Sequence, residues 1–387
     1  MKTFLEKFSL LSLSLMLVST LSPSTALPQM ITTFHQQGYA ASQVEFLFSL
    51  SSFAILAMLL LNPIIERLIS ERLSIILGLL LIAFGGSMPV VFQTYSLVFV
   101  SRILLGIGIG LINSRAISII SETYAGREQA QMLGLRGSFE VIGNALLTMI
   151  VGFIVVLGWS WTFSVYLFAL PILAVYLIFE PKPKVEVEEP QQDETRAKFR
   201  KEDILYIVGL SLLAGFVINI NSANSLRIPV IVDQLHLGSP RQASLILSGM
   251  MLMGILSGIC FEGLLGRFSK NLITISMIPF ALGLFMVGFA NNLWVMLIGA
   301  MLSGFWYSIV VTCVFSDVST NISPQLIGNA TTLILIFCNL GGASAAIVLN
   351  LFSKFSPQPG FAFIIYAVIS LVICLGLIIK TRFSKKN

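Results

Sequence analysis

Runs of about 20 apolar residues recur along the whole chain. An α-helix rises 1.5 Å per residue, so each run is long enough to cross about 30 Å of hydrocarbon. In lipid every backbone N–H and C=O group must be satisfied within its own segment, so each run is predicted to be a helix. Twelve spans are predicted, near residues 8–31, 43–65, 74–93, 97–120, 131–157, 161–179, 204–227, 241–265, 272–290, 294–316, 327–352 and 359–380. The predicted fold class is an all-α integral membrane protein with twelve transmembrane helices.

The composition excludes a soluble globular chain, since 56% of the residues are hydrophobic and 11% are charged. A signal peptide is the alternative for the first span, which follows Lys2 and Lys7 and carries Ser24-Thr25-Ala26. Its removal would leave eleven spans and an odd topology. Because Pro28 continues the segment without a small-residue cleavage site, we expect a membrane helix here.

The lysines and arginines between the spans predict the orientation. Seventeen of them fall on one side of the predicted membrane, whereas the other side holds Arg227, Arg241 and Lys354. By the positive-inside rule both termini are cytoplasmic. The short loops and the absence of an external glycosylation sequence indicate the plasma (inner) membrane of a bacterium. This asymmetry accounts for the net charge of +5, so no nucleic-acid partner is expected.

Two landmarks recur at nearly the same interval. Glu66 and Glu262, after the second and eighth spans, lie 196 residues apart, and Glu122 and Asp317, after the fourth and tenth, lie 195 apart. A shared offset indicates a duplicated six-span unit. We predict two pseudo-symmetric six-helix bundles at 1–180 and 204–387, joined by a charged, proline-containing cytoplasmic linker at 181–203.

Four ionisable residues lie inside spans 4 and 5, namely Arg102, Arg115, Arg136 and Glu140. Each costs about 2.5–3.5 kcal/mol at mid-bilayer, so they are expected to face a bundle interior or a wet cavity. Arg136 and Glu140 are spaced i, i+4 and can pair, whereas Arg115 aligns with Glu122 seven residues later. One interpretation is a structural ion-pair network. The other makes Glu140 a protonatable switch that releases its arginine partner.

The second half lacks these charges. At an offset of 195 residues the corresponding positions are Leu297, Val310, Thr331 and Leu335. Spans 10 and 11 carry aromatic residues, which indicate an aromatic, weakly polar pocket or, alternatively, packing against lipid or core. The candidate cavity residues are Asn113, Asn144, Asn221, Asn224, Trp306, Tyr307 and Asn339.

Three features resemble the major facilitator superfamily. The segment from Asn62 to Arg72 is similar to its loop signature Gly-x-x-x-Asp-Arg-x-Gly-Arg-Arg, and Arg102 with Gly106 and Gly108 is similar to its Arg-x-x-x-Gly-x-Gly signature. Two six-span halves with a charged linker complete the resemblance, which covers the whole chain. Gly106 and Gly110 also form a Gly-x-x-x-Gly pair, which predicts close approach of a neighbouring helix.

The resemblance implies alternating access by rocking of the halves, with Glu66 and Arg67 latching one state and Arg102 taking part in proton transfer. The gating and loop network comprises Glu66, Arg67, Arg72, Glu122, Glu262, Arg267 and Asp317. The segment from Met132 to Gly143 resembles span 5 of the twelve-span drug:proton antiporters. It departs from them at Arg136 and Glu140, where those proteins usually carry neutral residues.

The leading hypothesis is therefore a proton-coupled exporter of drug-like or amphipathic molecules. The alternative is an organic-anion or nutrient permease or exchanger, in which Arg115 or Arg136 binds the substrate through its forked guanidinium. A membrane enzyme is not expected, since the sequence has no nucleophile elbow, phosphate loop or metal-ligand cluster. The expected partners are a small-molecule substrate, protons and the lipid bilayer, with no cofactor besides the proton gradient, and a monomer is expected.

Overall fold

The computed structural model describes residues 2–124, 126–179 and 201–384, and the regular structure within these ranges is entirely helical. The α-helices are α1 (Lys2–Leu13), α2 (Leu27–Gln36), α3 (Ala41–Leu68), α4 (Glu71–Leu80), α5 (Tyr95–Thr123), α6 (Gly126–Ile154), α7 (Ala169–Ile178), α8 (Lys201–Gln234), α9 (Pro240–Phe268), α10 (Leu272–Gly288), α11 (Leu293–Asn321), α12 (Pro324–Ser353) and α13 (Phe361–Ser384). Short 3-10 or π-helical segments extend several of them, including Ser19–Ala26 before α2, Leu81–Gly85 after α4 and Trp159–Phe168 before α7.

The twelve predicted spans each have a helical counterpart. Ten helical segments in the described ranges are long and apolar enough to cross a membrane. Another is the bent pair Phe4–Met16 and Ser19–Gln36, which meet at 48° and are called the first span below. Leu272–Gly288, a shorter apolar helix, corresponds to the ninth predicted span. The prediction of an all-helical membrane protein with twelve spans is confirmed.

The chain divides into two compact units, Met1–Arg196 and Ala197–Asn387. Most of the predicted linker at 181–203 lies outside the described residues. Its last three residues belong to α8, which begins at Lys201. The limits of the linker and of the two six-helix bundles therefore stay predictions.

The first span is broken at residues Ser19–Ala26, which contain Pro23. Proline has no N–H to donate and its ring clashes with the preceding turn, which favours a break in the α-helix here. Pro28 then starts α2 in the first helical turn, where its missing donor costs little. The break is buried against α6, so its free carbonyl groups need partners from the protein.

The two units repeat one another at an offset of 198–200 residues. Helices α5 and α11 begin 198 residues apart and also end 198 residues apart. Tyr166 donates a 2.9 Å hydrogen bond to Ser19 O, and Tyr366 donates one of 2.5 Å to Asn219 Oδ1, so this contact recurs at an offset of 200. The predicted offset of 195–196 is too short, because charged residues near helix ends do not occupy equivalent positions in the two units.

Glycines set the helix spacing at one repeated contact. A Cβ at Gly106 of α5 would clash with Ser51 O and the Ala54 side chain of α3, so the predicted close approach at this glycine occurs. A Cβ at Gly304 of α11 would likewise clash with the backbone of Met250 in α9. Both units therefore need a glycine, which has no side chain, where their second and fourth spans cross.

Candidate functional site

Arg102 lies at the centre of the first unit and is 1% exposed. Its Nε donates to Leu47 O at 3.3 Å, its Nη1 donates to the phenol oxygen of Tyr166 at 3.1 Å, and its Nη2 donates to Thr20 O. The guanidinium also lies 4.9 Å from the ring centre of Phe48. These contacts join α5 to the broken first span, to α3 and to the segment before α7.

The break in the first span explains this arrangement. Ser19 O and Thr20 O lie where the α-helical ladder is interrupted, and they accept hydrogen bonds from Tyr166 and Arg102 respectively. In lipid these carbonyl groups would otherwise lack donors. Among the described residues no carboxylate lies within salt-bridge distance of Arg102. Its role in proton transfer therefore stays a prediction, while its role in closing the break is a geometric fact.

A second polar group links α6 to α5. Arg136 Nη2 lies 2.7 Å from Glu140 Oε1 and also donates to Asn113 Oδ1 at 3.0 Å. The two side chains of the ion pair are 13% and 21% exposed. Because the pair is i, i+4 on one helix, α6 itself holds the two groups in contact. Asn113 is the group that connects them to the neighbouring span.

Arg115 pairs across helices rather than along its own. Its Nη1 lies 3.4 Å from Glu66 Oε1 at the end of α3, and Asn62 Nδ2 donates to the same oxygen at 2.9 Å. The predicted alignment of Arg115 with Glu122 does not give a direct contact. Seven residues on one helix are about 10.5 Å apart along its axis, so the closer partner is on the helix that packs alongside.

Glu71 is a site residue that the sequence analysis did not select. Its Oε1 is buried without a hydrogen-bond partner in the described part of the chain, and Glu122, Arg115 and Glu66 act on it electrostatically. Glu71 thus lies within electrostatic range of two further carboxylates and one guanidinium at the predicted cytoplasmic end of the first unit. In the sequence, Ser70-Glu71 resembles an ordinary capped helix start, where an acidic residue favours the helix dipole.

The remaining residues of the predicted loop network are dispersed. Arg67 and Arg72 are exposed, and so are Glu262 and Arg267 on α9. Asp317 accepts a 3.4 Å hydrogen bond from the Tyr206 hydroxyl inside the second unit. The structure thus brings Glu66 to Arg115, and both residues and Glu122 lie within electrostatic range of Glu71.

The predicted cavity residues of the first unit both have partners. Asn113 accepts from Arg136, and Asn144 accepts a 3.0 Å hydrogen bond from Ser22 Oγ of the first span. Tyr166, which the sequence analysis missed, connects the same span to Arg102. In the sequence Tyr166 is a single tyrosine within an apolar run. The same pattern is typical of a tyrosine at the membrane–water interface, so it does not identify a buried contact.

The predicted cavity residues of the second unit fall into different environments. Asn224 is buried and donates to Ser303 Oγ at 3.3 Å, while Asn339 donates to Leu335 O in its own helix. Asn221 and Tyr307 are half-buried. Trp306 packs with Phe305 on the apolar cluster of Leu272, Ile309 and Cys313. A shared pocket of these residues stays a prediction.

Asn219, outside the predicted set, has three hydrogen-bond partners within the second unit. It donates to Gly341 O at 3.0 Å and to Ser344 Oγ at 3.1 Å, and it accepts from Tyr366. It takes the position that Ser19 holds in the first unit. The repeat therefore conserves a tyrosine contact to the opening span of each unit.

The two units still differ in charge when positions are compared at the corrected offset of 198 residues. At 198 residues beyond the four membrane charges lie Ala300, Cys313, Ile334 and Cys338, in place of the predicted Leu297, Val310, Thr331 and Leu335. All four are buried. Ile334 and Cys338 pack with residues of α8 in one apolar cluster. The second unit thus has a hydrophobic core where the first has its ionisable side chains.

Comparison with known proteins gives a consistent family. The sequence profile of the Major Facilitator Superfamily matches residues 8–346 and 210–387. A search of curated protein sequences finds no significant match. Among solved structures, a D-xylose-proton symporter is similar with a TM-score of 0.78 at 17% identity, covering 97% of each chain.

Two further structures have the same fold. The xylose transporter XylE from E. coli has a TM-score of 0.75 at 16% identity, covering 97% of this chain and 95% of its own. The nucleoside transporter NupG has a TM-score of 0.68 at 16% identity, covering 96% of this chain and 98% of its own. The profile match extends over most of the sequence and the helical architecture agrees with it. The chain is a multi-pass membrane transporter that belongs to the major facilitator superfamily.

Proposed function

We propose that this transporter is coupled to protons through Glu140. The observation that carries the proposal is the 2.7 Å ion pair between Arg136 and Glu140, which lies inside an apolar membrane helix. An ionisable residue in such a position is costly, and by default it marks an ion or proton pathway. The Glu140 side chain keeps 21% of its surface exposed, so it is not fully enclosed by the described residues.

Protonation of Glu140 removes one charge of the pair. Arg136 then keeps two neutral acceptors, the carboxyl group of Glu140 and the amide oxygen of Asn113 on α5, but loses its ion-pair partner among the described residues. A guanidinium without its counter-charge is destabilised in a medium of low dielectric constant. The arrangement of α5 and α6 that suits the ionised pair therefore suits the protonated one less well. Proton binding thereby biases the first unit between two arrangements, as alternating access requires.

The cargo of this proposal is a small, uncharged, hydrogen-bonding solute that moves with the proton. Each arginine of spans 4 and 5 already has partners: backbone carbonyl groups for Arg102, Glu66 for Arg115 and Glu140 for Arg136. Binding an anionic substrate would require breaking one of these contacts. The names of the similar structures, a D-xylose-proton symporter and a nucleoside transporter, support the nutrient permease over the drug exporter.

Export of drug-like amphipathic molecules in exchange for protons is the second candidate. The observation that favours it is the Phe305–Trp306 pair of α11, whose rings lie 5.2 Å apart and remain partly exposed. Aromatic faces of this kind bind flat apolar molecules and organic cations. Under either candidate we place the protein as a monomer in a bacterial plasma membrane, with both termini cytoplasmic.

Transport by the purified protein in liposomes tests the proposal. The solutes are a pentose, a nucleoside, a lipophilic cation and an organic anion. Exchange of labelled for unlabelled solute without a gradient reports substrate movement, and accumulation under an imposed pH gradient reports coupling. Glu140→Gln is expected to keep exchange and to lose accumulation, because the amide cannot release a proton. The matched control is Asp233→Asn, which neutralises an exposed carboxylate of α8.

The outcomes separate the candidates. Symport is supported if the pentose or nucleoside accumulates on the alkaline side in the wild type and Asp233→Asn but not in Glu140→Gln. Movement of the lipophilic cation alone, towards the acidic side, identifies an exporter. Transport of the anion alone, abolished by Arg136→Ala, identifies an organic-anion transporter that binds its substrate through Arg136. Equal accumulation by wild type and Glu140→Gln would refute coupling through Glu140.

A further inference from the structure

The first span carries a row of buried hydroxyl groups. Its members, all at most 7% exposed, are Ser9, Ser12, Ser14, Ser19, Thr20, Ser22, Ser24 and Thr25. The hydroxyls of Ser9, Ser14, Ser24 and Thr25 have no hydrogen-bond partner in the described part of the chain. Buried polar groups in native proteins are paired with protein atoms or with ordered water. A cluster of unpartnered hydroxyls on one span therefore indicates internal water.

A polar stripe of α6 lies along this row. Arg136, Glu140, Asn144 and Thr148 recur every four residues and so share one face of the helix. Ser22 Oγ donates to Asn144 Oδ1 at 3.0 Å, which joins the two elements directly. The Nε of Arg136 is also buried without a partner among the described residues. The eight hydroxyls and these four side chains of α6 are called the polar seam below.

Contacts fix the first span and α6 side by side over the length of the polar seam. The rings of Phe8 and Phe139 lie 6.4 Å apart edge to face. Further along, a Cβ at Gly143 would clash with the backbone of Leu15, so the two chains touch there. Gln29 donates to Val155 O at the far end. Sixteen residues separate Ser9 from Thr25, about 24–30 Å at helical rises, which is close to the thickness of the hydrocarbon layer.

The corresponding part of the second unit shows that the fold does not require the hydroxyl of Ser14. At the offset of 200 residues Ser9, Ser12 and Ser14 correspond to Gly209, Leu212 and Ala214. Ala214 belongs to the apolar cluster that also contains Ile334 and Cys338. Ser14 thus corresponds to a residue of an apolar cluster, whereas Gly209 and Leu212 are exposed. Ser22, Ser24 and Thr25 correspond to the buried polar residues Ser222, Asn224 and Ser225.

We propose that the polar seam holds a chain of internal water molecules that conducts protons to and from Glu140. The inference rests on the proposed proton coupling and adds the route. Each water accepts a proton on its oxygen and passes a different one to the next oxygen, so no group is consumed and Arg136 stays charged. Ser9 and Ser14 lie in the first span before the break. Ser24 and Thr25 lie within the break, the segment whose Ser19 O and Thr20 O accept from Tyr166 and Arg102.

The charged and titratable groups around α6 are compatible with this route. Arg136 faces Glu140 from the same helix. On the first span, Lys7 is paired with Glu128 at 2.5 Å, so it is already neutralised by a neighbour of the opposite charge. Helix α5 contributes Arg115, which is paired with Glu66, and Arg102, which with Tyr166 binds the carbonyl groups of the break. Glu140 is thus the carboxylate that the polar seam serves.

Transport by hydroxyl variants tests the route. Ser14→Ala, Ser24→Ala and Thr25→Val each remove one unpartnered hydroxyl at little change in volume. Each is expected to lower proton-driven accumulation about tenfold, as for loss of a proton-transfer group, while gradient-free exchange stays within about twofold of the wild type. The matched control is Ser276→Ala, which removes a buried hydroxyl of α10 that donates to Leu272 O at 2.7 Å. Full accumulation by all three variants would overturn the proposal.

Labelling of the wild type by hydroxyl radicals from X-ray radiolysis gives a test that needs no variant. Radicals form at bound water, so Met16 in the first span should be oxidised faster than Met277 in α10, although both are 0% exposed. Equal oxidation of the two methionines would show that the polar seam is dry and would refute the inference. If the wild type shows no proton-driven accumulation, coupling through Glu140 fails, and the Met16 result still decides whether water is present.

Discussion

Arg102 Nη1 donates a 3.1 Å hydrogen bond to the phenol oxygen of Tyr166, and both side chains continue to adjacent carbonyl groups of the broken first span. Four elements of the first unit therefore meet at one buried guanidinium. Backbone that leaves the helical ladder inside a membrane persists only where the protein supplies donors. Arg102 and Tyr166 are those donors.

The Tyr166→Phe variant should destabilise the protein. It removes the donor to Ser19 O and the acceptor of Arg102 Nη1, and a buried group left unsatisfied costs about 1–3 kcal/mol. Thermal unfolding of the purified protein in detergent should show a lower Tm. The Tyr307→Phe variant is the matched control, because this phenol makes no hydrogen bond within the described ranges, and it should leave Tm nearly unchanged. A Tm for Tyr166→Phe equal to that of the control would contradict the role of Tyr166 as a donor to the broken first span.

The acidic cluster around Arg115 predicts opposite effects of two neutral substitutions. Arg115→Gln should lower stability by about 1 kcal/mol, because Glu66, Glu71 and Glu122 then repel one another without a cation. Glu71→Gln should raise stability by a similar amount, since it removes one of three like charges. The measurement is Tm at neutral pH and low ionic strength. If Glu71→Gln lowers Tm, the buried carboxylate makes a favourable contact and the prediction is wrong.

The Asn113→Ala variant should weaken proton coupling. Asn113 holds Arg136 at 3.0 Å from the neighbouring span, and a hydrogen bond to a charged group contributes about 1.5–3 kcal/mol. Proton-driven accumulation should fall about tenfold, with gradient-free exchange largely retained. The control is Asn271→Ala, which removes an exposed amide at the start of α10. Unchanged accumulation in Asn113→Ala would mean that Arg136 and Glu140 act without α5.

The Gly106→Ala variant should separate α3 from α5. The added methyl group would meet Ser51 O and the Ala54 side chain, and such overpacking costs about 1–3 kcal/mol. Gly134→Ala in α6 is the control, because a Cβ there has no atom within 4 Å. It should stabilise the helix by about 0.5–1 kcal/mol, since alanine is the better helix former. The prediction fails if the two variants shift Tm in the same direction.

Several features of the site were accessible from spacing alone. The i, i+4 interval of Arg136 and Glu140 gives their pairing, because one helix sets the distance. The close approach at Gly106 follows from its small side chain. In contrast, Glu71 and Tyr166 resemble an ordinary helix start and an interfacial tyrosine in sequence. Their importance depends on groups from other helices, which no local pattern identifies.

The sequence by itself determined the helical class, the twelve spans and the placement of four ionisable residues in spans 4 and 5. Lipid leaves an apolar run of this length no alternative to a helix. The tertiary structure alone decided which groups meet. It paired Arg115 with Glu66 instead of Glu122, set the repeat at 198–200 residues and aligned the hydroxyls of the first span with α6. Contacts between helices depend on the rotation of each helix about its axis and on breaks such as that at Pro23, and periodicity specifies neither.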